Sequence, residues 1–245
     1  TDVVHCAKDV TTPGSEVLTE MQDVVNHWEG GLRATGGALV PEKSYWYLID
    51  FVWKTDHWMY ATTEEVPGDI SICTVEGNDQ VNLRRFEPDH AEETLGVYLA
   101  MDGNNVEQIA QLRQKTEDFA DSMRTGYLSK NDAWYAINTT IMKTLEYPMT
   151  ATTIGEKDWE SIMVPLLKAG LPRAGISSKF PRDILYGPTT VQGFGVLHPW
   201  YHQQLKHLIV LLEHTEHHSM TGQLLKTSFK QLRLETGTSR CMTDT

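Results

Sequence analysis

The densest concentration of groups that could do chemistry is His214-Thr215-Glu216-His217-His218. His214 and His218 are four residues apart, so on a helix they share a face and could ligate zinc beside a carboxylate such as Glu213. The metalloprotease order His-Glu-x-x-His is not met, because the acid follows Thr215, one place late. The competing explanation is a helix C-terminus, where histidines favour the dipole and the last carbonyls. A second group is basic and aromatic. Lys168, Arg173, Lys179 and Arg182 cluster in a Gly/Pro-rich stretch, and Lys206, Lys226, Lys230 and Arg233 follow. Phe180, Tyr186, Trp200 and Tyr201 interleave with them. Cations hold phosphates and aromatics stack on bases, so this pattern suits nucleic-acid binding. Lys179 and Arg182 are the first choices for backbone contacts. Solvated helix faces and ordinary core aromatics are the alternative.

Charge divides the chain. The net charge of −12 argues against a nucleic-acid protein at first sight. Residues 1–102, however, carry 6 Lys/Arg against 19 Asp/Glu, giving −13, whereas residues 103–245 carry 15 against 14, giving +1. The second part is free to grip a phosphate backbone with a few cations. Cys6, Cys73 and Cys241 form no CxxC pair and no even framework, which suits a reducing, intracellular compartment. No apolar run approaches about 18 residues, so no membrane partner is expected. The opening, Thr1-Asp2-Val3-Val4-His5-Cys6, is a β-type run without a lead-in and reads as the start of a fragment.

The elements that must position these groups follow from periodicity. Residues 2–7 read as a strand. Ser15 caps a helix with the stripe Val17, Leu18, Met21, Val24, Val25, Trp28 and Leu32, ended by Gly36-Gly37. Residues 44–53 read as one strand, with shorter strands at 57–61, 70–75, 80–86 and 94–100, and a hairpin turn at Gly77-Asn78. Five helices follow. The first starts at Asn104 or Asn105 and the second at Asn131, with Ala133, Ile137, Ile141 and Leu145 on its core face. The third covers 156–168 and is kinked or split by Pro165; the fourth opens at Pro199; the last covers about 221–235. The fold class is therefore α+β: antiparallel strands with one helix over 1–102, then a helical bundle over 103–245.

The order of these features carries a resemblance. The opening Thr1-Asp2-Val3-Val4-His5, the amphipathic helix, and Gly36-Gly37-Ala38-Leu39-Val40-Pro41-Glu42-Lys43-Ser44 resemble the region after the Asp-Asp motif of reverse transcriptases of the non-LTR retrotransposon type. Thr94-Leu95-Gly96-Val97-Tyr98-Leu99 is similar to the family's primer-grip strand. Trp134, Tyr147-Pro148, Leu171-Pro172, Phe180-Pro181-Arg182, Tyr186-Gly187-Pro188 and Gly193-Phe194-Gly195 resemble the stretch that follows in such reading frames of mobile elements.

The resemblance implies the end of a polymerase palm over 1–102 and a thumb or connection region over 103–245. It places Lys43 as a candidate general acid for the pyrophosphate leaving group, against the alternative of a solvated turn lysine. It places Leu95 and Gly96 in a primer grip. Lys168, Arg173, Lys179 and Arg182 become nucleic-acid contacts. The metal-binding aspartates would lie upstream of Thr1, so the chain alone is expected to bind no cofactor and to be inactive. The parent RNA-directed DNA polymerase would use magnesium. The partners implied are a primer–template and the upstream fingers and palm of the same polypeptide. Two other functions fit the residues: a non-catalytic helical interaction module or degenerate remnant, and a zinc-dependent hydrolase built on the histidines.

Overall fold

The computed structural model describes residues 3–7, 9, 11–74, 79–215 and 217–237. They divide into two units, Thr1–Glu93 with Leu99–Asn104, and Thr94–Tyr98 with Asn105–Thr245. Helices and small, mostly antiparallel sheets both contribute, which is an α+β composition. Asp2, the Gly77-Asn78 turn, Glu216 and Cys241 lie outside the described residues.

The first unit is organised by α1 (Gly14–Ala34). Leu18 and Val25 pack with Trp46, Leu48, Ile70, Ile72 and Leu83. The same helix face carries Gln22 and Glu29, and these close the edge of strand β4, given below. The Gln22 side chain accepts from Ser71 N and donates to Ser71 O, both at 2.8 Å. Glu29, only 6% exposed, accepts from Cys73 N at 3.1 and 3.2 Å and from the Arg33 guanidinium at 3.0 Å. A bare strand edge against a helix would leave backbone donors unpaired, and these side chains supply the partners. The helix ends as expected. Gly36 is left-handed at φ 82°, with Gly36 N bonded to Arg33 O and Gly37 N to Leu32 O. The N-terminus differs: the cap position is Pro13, and no side chain caps it.

Among the described residues, eight short strands follow: β1 (Tyr45–Tyr47), β2 (Phe51–Lys54), β3 (His57–Tyr60), β4 (Ser71–Cys73), β5 (Gln80–Asn82), β6 (Arg84–Phe86), β7 (Ala91–Thr94) and β8 (Val97–Ala100). They pair as β1–β6, β2–β3, β4–β5 and β7–β8. Four corrections arise. Residues 3–7 carry no strand. The strand expected over 44–53 breaks at 48–50, because buried Trp46 and Leu48 hold β1 to the core while β2 leaves it. The β1–β6 pair is parallel, because the chain between them makes a long excursion and returns in the same direction. The strand expected over 94–100 is interrupted: Leu95 (φ 51°) and Gly96 (φ 83°) reverse the chain between β7 and β8. Positive φ at both central residues is the type I′ pattern.

In the second unit, α2 (Val106–Thr125) packs on α5 (Glu156–Arg173). Ser129, not Asn131, caps the next helix: its hydroxyl accepts from Asp132 N and donates to the Asp132 carboxylate at 2.6 Å. That helix runs as α3 (Lys130–Ala136), a wide π-turn (Ile137–Ile141) and α4 (Met142–Glu146). Ala133, Ile137, Ile141 and Leu145 are all buried in it. A 3₁₀ turn at Tyr147–Thr150, with Pro148 near its start, ends the run. The α5 helix passes through Pro165 and continues to Arg173, five residues beyond the expected end. The proline removes one helical bond, but buried Ile162, Met163, Leu166 and Leu171 hold the flanking turns to the core. The Gly/Pro-rich connection contains α6 (Arg182–Tyr186). The chain closes with α7 (Pro199–Thr215) and α8 (Met220–Thr236). Gln203 ties α7 to the core: fully buried, it accepts from Ile154 N and Trp159 Nε1 at 3.2 and 3.1 Å and donates to Ile154 O at 2.9 Å.

Candidate nucleic-acid interface

The second unit forms an open cleft of about 400 Å³ lined by Leu95, Gly96, Gln108, Leu112, Lys115, Thr144, Tyr147 and Pro148. Each wall has a local cause. Among the bonds that hold the β7–β8 turn, the Tyr147 hydroxyl donates to Leu95 O at 2.7 Å, and Tyr98 N donates to Gln108 Oε1 at 2.7 Å. Gln108 is 1% exposed, so its carbonyl is a fixed acceptor and the turn is anchored on α2. Glycine at position 96 leaves the tip narrow; a Cβ there would stand 3.6 Å from the Tyr147 ring.

Leu95 is 85% exposed and left-handed, where asparagine or glycine would be less strained. An exposed leucine in a strained backbone invites a functional explanation. Lys115, on α2, is exposed and has no hydrogen-bond partner among the described residues. Among the described residues the cleft thus offers the Lys115 ammonium, an apolar tip and the Tyr147 ring. It can hold an anionic chain carrying flat or sugar groups.

The residues expected to act separate on the structure. Leu95 and Gly96 line the cleft, as a turn and not as a strand. Lys43 closes a 3₁₀ turn (Pro41–Lys43) in the first unit; it is exposed, its N–H donates to Val40 O at 3.1 Å, and its ammonium has no partner among the described residues. Lys168 and Lys179 are exposed. Arg173 and Arg182 are half-buried and engaged by backbone: Arg173 donates to Gly126 O, and Arg182 to Ser178 O at 2.8 Å. Arg182 also has a buried guanidinium nitrogen without a partner. The aromatics mostly pack on one another. Phe180 and Trp134 both stack edge-on against Phe194, and Trp200 joins the core. Burial pushes the Tyr186 hydroxyl pKa up and the His198 imidazole pKa down. Tyr201 alone of that set is strongly exposed.

The histidine reading meets a correction. α7 ends at Thr215, so His218 lies past the helix and does not share a face with His214. Among the described residues, no three His, Cys, Asp or Glu side chains are grouped to hold a metal ion. No helix there is long and apolar enough to cross a membrane.

Sequence reasoning missed Lys115, Gln108 and the charge cluster at Glu146. The Glu146 carboxylate accepts from Lys143 at 2.7 Å, His202 at 3.0 Å and Lys206 at 2.9 Å. Bonds to Lys143, Lys206 and His202 pull its pKa down to about 2. Lys206, counted above as a phosphate contact, is thereby committed to joining α7 to α4. Only the spacing of Glu146 from Lys143 was visible in advance.

No protein-family profile, curated protein or solved structure matches the chain.

Proposed function

We propose that this chain is the late-palm and thumb portion of a reverse transcriptase of the non-LTR retrotransposon type, and that it positions a primer–template. The observation that carries this reading is the Leu95-Gly96 tip, which the motif order assigns to a primer grip and which lines a cleft with Lys115 and Tyr147. Fixed by Tyr147 and Gln108, the tip offers a rigid edge for the end of a strand, and Lys115 holds a phosphate beside it. Lys168 and Lys179, exposed in the same unit, would add further phosphate contacts. In this reading the upstream fingers and palm of the polypeptide supply the magnesium-binding carboxylates, and Lys43 lies on the side of the departing pyrophosphate.

The test is fluorescence-anisotropy titration of the 245-residue chain with a short RNA–DNA primer–template at several salt concentrations. Binding should weaken steeply with salt, and Lys115→Ala should lower the log–log slope by about one. Salt-independent binding, or a slope unchanged in Lys115→Ala, overturns the proposal.

A second reading has its own observation. Leu205, Leu208, Ile209 and Leu212 are each about half exposed along α7, although their spacing is that of a buried stripe. Such a row suits a non-catalytic helical module that meets another protein.

A further inference from the structure

The first unit carries an exposed aromatic surface that the polymerase reading does not use. Strands β2 and β3 form a two-stranded hairpin with Phe51 opposite Tyr60 and Trp53 opposite Trp58. Residues alternate faces along a strand, so these two rungs lie on one face. The rings touch in pairs: Phe51–Tyr60 at 5.0 Å, and Trp53–Trp58 edge-to-face at 5.2 Å. Phe51, Trp53 and Trp58 are 51%, 58% and 64% exposed. Cross-strand aromatic pairs stabilise a hairpin. Threonine or valine pairs would favour the strand as well without setting two indoles in water. The turn adds strain, since Thr55 (φ 49°) and Asp56 (φ 67°) are both left-handed and neither is glycine.

Charge selects the occupant. The unit carries six basic residues against nineteen acidic ones. The hairpin's own lysine, Lys54, is bound to Glu65. Asp56 stands at the tip of the aromatic row and its carboxylate has no partner among the described residues, whereas Asp50 falls on the opposite face of the ladder and accepts from Phe51 N at 2.8 Å. A phosphate backbone or an anionic membrane would be repelled here. Guanidinium groups would be attracted, because they stack on indole faces and pair with carboxylates. The two rungs are two residues apart, roughly 7 Å, which is also the distance between alternate side chains of an extended peptide.

The geometry points to this hairpin face as a docking site for an extended, arginine-rich segment of a partner protein, with arginines at alternate positions stacking on the Phe51–Tyr60 and Trp53–Trp58 rungs beside Asp56. This stands apart from the primer–template reading, which concerns the other unit.

The test uses the whole 245-residue chain and two labelled peptides, six Arg-Thr repeats and the same peptide with citrulline for arginine. The arginine peptide should bind at least about tenfold more tightly than the citrulline peptide, since each stacked cation contributes on that scale. Trp58→Thr keeps a strand-favouring residue and should weaken arginine-peptide binding about tenfold, with an unchanged circular dichroism spectrum. Trp58→Phe, which keeps a ring, should recover part of the loss. Asp56→Asn should weaken binding less. Equal affinity for the two peptides, or affinity indifferent to Trp58→Thr, overturns the inference. So does tight binding of an oligouridine that Trp58→Thr abolishes, because the face would then stack bases.

Discussion

Replacing Glu146 with glutamine tests how α7 is held. The substitution keeps the shape of the side chain and removes the charge at the centre of Lys143, His202 and Lys206. The folded carboxyl titrates at about 2 against an ordinary 4.5. That displacement corresponds to a ceiling of about 3 kcal/mol. Solvent screening of the long lysines cuts the expected contribution to roughly 1–2 kcal/mol.

The folded pKa lies below the unfolded one. The contribution is therefore complete above about 4.5 and is lost as pH falls toward about 2. At pH 7 the Glu146→Gln chain should melt roughly 2–8 °C lower, on a scale of about 2–4 °C per kcal/mol for a chain of this size. The gap should shrink steadily between pH 4.5 and pH 3. Two units need not melt as one, so the decisive readout is amide hydrogen exchange in α7, which should quicken in the variant at pH 7. A gap of equal size at pH 7 and pH 3, or unchanged exchange in α7, refutes the assignment of this cluster as the α4–α7 link.

Two further substitutions probe the same unit. Gln203→Leu keeps the volume but strands Ile154 N, Ile154 O and Trp159 Nε1; it should cost about 2–4 kcal/mol in chemical denaturation, and a loss under about 0.5 kcal/mol would show the network to be dispensable. Leu95→Asn converts the hairpin turn to Asn-Gly, the pair that type I′ favours; it should raise stability by about 0.5–1 kcal/mol while weakening primer–template binding, and unchanged binding would remove Leu95 from the interface.

Residues whose burial follows from helical periodicity were legible. Ala133, Ile137, Ile141 and Leu145 read as one face and form the core of the second unit, and Trp159, Ile162, Met163 and Leu166 do the same on α5. Two buried polar residues owe their burial to a distant partner that no local preference reveals. Glu29 looks like a solvated helix residue, yet it is buried because the backbone of β4 needs an acceptor forty-four positions on. Gln203 is polar and buried for the same reason, forty-nine positions from Ile154. The aromatic run at 44–53 reads as one strand because propensity cannot locate the point at which the chain leaves the core. The row on α7 carries the period of a buried stripe but remains half exposed, and periodicity alone does not tell a core from a contact surface.

Existing ion pairs and hydrogen bonds separate the cations that are available to bind from those that are not. Counting Lys and Arg along 168–233 treats every cation alike, but a cation already paired, or donating to a buried carbonyl, must lose that partner before it meets a phosphate. Lys206 is held by Glu146, Arg173 by Gly126 O and Arg182 by Ser178 O. Exposed Lys115, Lys168 and Lys179 lose no ion pair on binding. Under the proposed function, the salt dependence of primer–template binding should follow that second set. Alanine at Lys115, Lys168 or Lys179 should flatten the salt slope with little change in stability, whereas alanine at Arg173 should lower stability first. If Arg173→Ala flattened the slope in a fully folded chain, the division drawn from these hydrogen bonds would be wrong.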